Sequence, residues 1–107
     1  MSDKINSFIT SNIQKIALAI GFDTSDVDSD SILTAFVESG VDDMRGAGVS
    51  EHVIINNKLS LITLCLYVKD NISLESGKTT ASPIYTANVQ KLKLISLTTT
   101  EEVGLWV

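Results

Sequence analysis

EHVIINNKLSLITLCLYVKDNIS, residues 51–73, is the most apolar stretch of the chain. One stripe at helical spacing is Ile55, Leu59, Ile62 and Leu66. A neighbouring stripe is Ile54, Leu61, Cys65, Val68 and Ile72, which leaves Asn56, Ser60, Thr63, Tyr67 and Asp70 as a narrow remaining face. An apolar arc this wide belongs to a helix surrounded by others. Ser50, just before it, is a residue type that caps helix starts. The stretch predicts one long helix at the centre of a bundle.

On its N-terminal side, residues 28–49 read DSDSILTAFVESGVDDMRGAGV. Ile32, Leu33, Phe36, Val37, Val41 and Met44 form one helical face, with Ala35 beside it. The acids at its start suit the positive end of the helix dipole. Gly46 and Gly48 supply the residue type that tolerates φ > 0 at a helix end. Gly40 is a weak spot in such a helix, or a place where another backbone comes close. Further upstream, Ile5, Phe8, Ile9, Ile13, Ile16, Ala17 and Ile20 recur in steps of three and four, with Gly21 placed to end that helix.

Downstream, LESGKTTAS (74–82) has loop composition. Ser82-Pro83 is then a start signal, an N-cap residue before proline at the first helical position. The helix it opens turns Ile84, Ala87, Val89, Leu92 and Tyr85 inward and runs to about Leu94. The last residues, ISLTTTEEVGLWV (95–107), are rich in β-branched residues without helical period and read as extended, or disordered when alone. The expectation is therefore a single all-α domain over residues 1–107. It is a small four-helix bundle with helices at about 3–20, 29–46, 51–73 and 83–94, a central long apolar helix and an extended C-terminal tail.

Composition sets the class. The chain has 107 residues, 44% of them hydrophobic, and a mean hydropathy of +0.24. That rules against intrinsic disorder and is generous for a domain that buries only about two-thirds of its unfolded surface. The excess suits contacts with other subunits. Thirteen acids against eight bases give a net charge of −5, and the one arginine is Arg45. Nucleic-acid binders cluster cations against phosphates, so direct sequence-specific DNA binding is disfavoured. The opening residues lack the order of a signal peptide, and no apolar run reaches the ~18 residues of a membrane span. An intracellular soluble protein without membrane contact is expected.

Asp26, Asp28 and Asp30 alternate like calcium ligands, but Ser31 stands where such a loop needs glycine, and Glu38 arrives one residue late. Helix capping accounts for the same acids. His52 is the one histidine and no partner is singled out for it by spacing. Cys65 is the one cysteine and lies on an apolar stripe, where a thiol packs as a small hydrophobe. Gly46-Ala47-Gly48 lacks the ending of a phosphate loop. No catalytic residue, metal ligand or cofactor site is expected. The C-terminal Leu105-Trp106-Val107 is the segment with binding character, because tryptophan is costly to leave in water and is enriched at binding hot spots. It either folds back on the bundle or docks on another subunit.

The order of these parts resembles the head–tail connector (adaptor) family of tailed bacteriophages. The resemblance runs over residues 28–94: an acidic cap before a helix, as in DSDSILTAFVESGVDDMRGAGV, the long apolar HVIINNKLSLITLCLYVKDN ending in a tyrosine and a small polar run, then, after a loop, a short helix like SPIYTANVQKLKL. The N-terminal helix is longer than the family pattern, and the tail is less typical of it. The resemblance implies a non-enzymatic structural subunit that assembles into a homo-oligomeric ring, commonly a dodecamer, beneath the portal protein. Such a ring extends the DNA channel toward a stopper or tail-completion protein. Its location would be the head–tail interface of the virion, after assembly in the host cytoplasm. By the same analogy Leu97, Val103, Leu105, Trp106 and Val107 are the partner-binding residues. Two other readings stay open: a small helical regulatory or DNA-binding adaptor module, which would use Lys91 and Lys93, and a thiol enzyme built on Cys65.

Overall fold

The computed structural model describes residues 3–23, 27–72 and 83–98. Among them the chain is all-α, with five helices and no strand: α1 (Asp3–Ile20), α2 (Val27–Ala47), α3 (Glu51–Asn56), α4 (Lys58–Ile72) and α5 (Pro83–Thr98). α4 packs against all four others. The radius of gyration is 14.1 Å, against about 13 Å for a compact chain of this length.

The helix ends follow from local chemistry. Gly21, at φ 71°, closes α1. Its N–H donates to the Leu18 carbonyl, and the Phe22 N–H donates to the Ala17 carbonyl at 2.9 Å. This paired pattern satisfies carbonyls that a helix end would otherwise leave bare. Gly48, at φ 109°, repeats the device for α2: its N–H reaches the Arg45 carbonyl and the Val49 N–H reaches Met44. Val49 and Met44 are both buried, which seals the corner. Ser50 then caps α3, its hydroxyl accepting from the Val53 N–H.

The core is one cluster. α1 contributes Ile5, Ile9, Ile16 and Ala17, and α2 contributes Leu33, Val37, Val41 and Met44. α3 adds Val53 and Ile54, α4 adds Leu64 and Val68, and α5 adds Tyr85, Val89 and Leu92. Each of the larger aliphatic side chains stabilises the fold by about 1.5–3 kcal/mol relative to exposure. α2 and α4 meet at Gly40, where a Cβ would stand 2.9 Å from Leu64 Cδ2 and 2.9 Å from Tyr67 Cδ1. The glycine is therefore a point of close approach.

Three sequence expectations are corrected. The central long apolar helix is absent, because 51–73 is divided at Asn57 into α3 and α4. Asn57 is extended (φ −99°, ψ 126°), and its Oδ1 accepts from the Leu59 N–H at 2.9 Å. An asparagine that bonds its own backbone two residues on competes with the helix and starts a new one. The bundle thus has four longer helices and one short one.

The second correction concerns which side of α4 is inside. Ser60 and Thr63, from the narrow polar face, are fully buried, whereas Ile62 is 55% exposed. Their hydroxyls are satisfied within the chain: the single Ser60 Oγ proton is shared between the Asn57 carbonyl, at 2.6 Å, and that of Ile54. Thr63 Oγ1 donates to the Leu59 carbonyl at 2.7 Å. Bonded this way, small hydroxyl residues bury without penalty and let neighbouring helices come close. Leu59, Leu61 and Cys65 remain half-buried at the edges of the core.

Third, α5 continues to Thr98, so residues 95–98 are helical. Ile95 and Ser96 are half-buried against the bundle, which offsets their weak helix propensity. Within α5, Ile84 and Ala87 face solvent, and Asn88 takes an inner position beside Tyr85, Val89 and Leu92. Ile32 of α2 is likewise half-exposed.

Candidate functional site

The residues with chemical potential are dispersed. His52 lies on α3, where the Asn56 side-chain amide donates to its carbonyl at 2.9 Å and lies 3.3 Å from its Nδ1. Cys65 is a free, half-buried thiol, and burial holds its pKa above the usual value. That direction disfavours the thiolate on which nucleophilic chemistry depends. Asp30 sits in the first turns of α2, its carbonyl accepting from Thr34 Oγ1; Asp26 lies outside the described residues. Gly46-Ala47-Gly48 closes α2. Among the described residues no group of three or more His, Cys, Asp or Glu side chains is arranged to hold a metal ion.

Among the described residues a polar cluster joins α2, α4 and α5. Ser39 Oγ and Tyr67 Oη share a 2.8 Å hydrogen bond, and Tyr85 Oη donates to an Asp43 carboxylate oxygen. The two tyrosine rings are tilted at 45° with centroids 5.6 Å apart, a favourable aromatic geometry. Burial first, then the Asp43 hydrogen bond and charge, push the Tyr85 phenol far above its usual range. It is held as a neutral donor. The cluster fastens three helices to one another.

A shallow groove of about 480 Å³ runs between the start of α1 and α3, lined by Asp3, Lys4, Ser7, Phe8, Ser11, Asn12 and Ile55. It is wide open to solvent and has no convergent acid–base pair.

The outer surface is more telling. Ile62 of α4, Ile32 of α2, Leu18 of α1 and Ile84, Leu94 and Leu97 of α5 are all more than half exposed. Leu97, the one partner-binding candidate within the described residues, projects from the last turn of α5 at 70% exposure, one turn after Leu94 at 62%. Val103, Leu105, Trp106 and Val107 lie outside the described residues. Ile62 and Leu94 were assigned no binding role by the sequence. The signal for Leu94 was its three-residue spacing to Leu97, which counts only once α5 is known to reach Thr98. For Ile62 no hydropathy pattern serves, since its stripe is the more apolar side of α4. Among the described residues no helix is long and apolar enough to cross a membrane.

Comparison with protein-family models, with curated proteins and with solved structures returns no match for this chain.

Proposed function

We propose that the chain is a structural subunit of a phage head–tail connector ring, docking beneath the portal and extending the DNA channel toward stopper or tail proteins. The observation that carries this reading is an all-helical core with its apolar surplus on the outside, at Ile62, Leu94 and Leu97. Large apolar side chains left in water are what an assembly surface offers a neighbour. The order of parts over residues 28–94 gives the reading its specific form. In it, Leu97 with Val103, Leu105, Trp106 and Val107 meets the portal, copies of the chain form a homo-oligomeric ring, and no cofactor or catalytic step is involved. The acidic balance of −5 suits a wall past which DNA slides.

The test is to mix the full chain with a portal ring and image the product by electron microscopy. A second tier of density coaxial with the portal is expected. Bare portal rings at saturating subunit overturn the proposal.

A further inference from the structure

The open groove between α1 and α3 has an apolar floor and a polar rim. Phe8 of α1 and Ile55 of α3, both half-buried, form the floor. Lys4, Ser7 and Ser11, exposed and one turn apart along α1, form the rim. Such a surface suits a flat aromatic ring with one polar atom. The ring covers the apolar floor, and an indole N–H finds a hydroxyl oxygen at the rim. At about 480 Å³ the groove is large enough for one.

The chain carries one tryptophan, Trp106, between Leu105 and Val107. It follows Thr98, where α5 ends, by eight positions. The end of α5 lies at the front of α3, where the Ser50 N–H donates to Ser96 Oγ at 2.9 Å. Ile55 is five residues beyond Ser50, about 8 Å at the helical rise. Crossing the width of one helix adds about 10 Å. Eight residues of extended chain span about 26 Å, so Trp106 reaches the groove of its own molecule with slack.

Two considerations favour that occupant. A flexible tether of this length holds its end near the groove at an effective concentration in the millimolar range, which another copy matches only in very concentrated solution. On the outer side of α5, at Leu94 and Leu97, an indole would be covered by one helix alone, whereas the groove offers walls from two.

We infer that Trp106 seats in the α1–α3 groove of its own chain, its ring on Phe8 and Ile55. The contact needs no partner and stands apart from the connector reading. Taken with that reading, it makes the groove and the portal rivals for one segment, and the subunit meets the portal by giving up an internal contact.

The experiment is nuclear magnetic resonance and tryptophan fluorescence on the full chain and on the double variant Ser7→Glu, Ser11→Glu. Both positions are exposed on α1, and glutamate is a good helix former there. Circular dichroism checks that the variant stays folded. Nuclear Overhauser contacts are expected from the Trp106 indole to the Phe8 ring and the Ile55 methyls, unchanged on dilution. Emission should lie to the blue of the urea-unfolded chain. The double variant should lose the contacts and return the emission to the unfolded position with its helical spectrum kept. The inference is overturned by native emission that matches the unfolded chain, or by indole contacts to Leu94 and Leu97 instead. Contacts that fade on dilution overturn it too, since the occupant is then another copy's segment, as does a folded double variant whose emission stays blue-shifted. No readout here involves the portal, so a solvated Trp106 overturns this contact alone, and bare portal rings overturn the connector reading alone.

Discussion

The backbone N–H of Ser50 donates to Ser96 Oγ at 2.9 Å, across 46 positions of sequence. Ser96 Oγ in turn donates to the Leu92 carbonyl at 2.9 Å. One hydroxyl in the last turns of α5 thereby holds the residue that caps α3. Ser96→Ala leaves the Ser50 N–H without that partner and should cost about 1–2 kcal/mol. Urea denaturation followed by circular dichroism measures it, and an unchanged midpoint would show that α5 does not anchor the corner.

Gly40→Ala tests the close approach of α2 and α4. Alanine favours a helix over glycine by about 1 kcal/mol, while overpacking a tight contact costs about 1–3 kcal/mol. With Leu64 and Tyr67 both 2.9 Å from the new Cβ, the clash should win and the melting temperature should fall. A more stable variant would mean that the two helices have room.

Asn57→Ala removes the residue that starts α4. The expected loss is about 1 kcal/mol, the usual cost of deleting an N-cap. Thermal unfolding reads it. A gain in stability would identify the break between α3 and α4 as a strain on the fold.

Tyr85 predicts an alkaline limit. Its folded pKa is raised above the usual value near 10, so the buried phenol keeps its proton where the unfolded chain would lose it. The associated stability is complete below pH 10 and declines as pH rises beyond it. A spectrophotometric titration of the chain's two tyrosines should show one of them ionising only as the protein unfolds. Tyr85→Phe should flatten that alkaline decline and lower neutral-pH stability by about 1–2 kcal/mol, since Asp43 loses its donor.

Deletion of residues 99–107 separates fold from docking. The cut falls after α5, so Ser96 and the Ser50 corner are retained. The expected outcome is a native helical spectrum with portal binding lost. Undiminished binding would remove Val103, Leu105, Trp106 and Val107 from the interaction.

How far the sequence could be read depends on which signals are local. The all-helical class follows from periodicity, and the ends at Gly21 and Gly48 and the cap at Ser50 follow from residue chemistry that acts within one turn. Asn57 is of the same kind and was overlooked, because Asn56-Asn57 sits inside an unbroken apolar rhythm. The inward turn of Ser60 and Thr63 has no signature in the hydropathy pattern, which places α4 the other way round; their hydroxyls bury because nearby carbonyls of Ile54, Asn57 and Leu59 accept from them. The same holds for Ile84 and Ala87, which face solvent while Asn88 takes an inner place beside Tyr85. Of the candidate binding segment, Leu97 was assigned to an extended tail and lies instead in α5, because Ile95 and Ser96 are weak helix formers that depend on packing.

A six-residue helix has no standing of its own in water. α3 persists through the hydroxyl at its front, the asparagine at its back and the two aliphatic side chains, Val53 and Ile54, that it sinks into the core. Its length makes it the helix of lowest opening cost in the core, so thermal agitation would reach its amides before those of its neighbours.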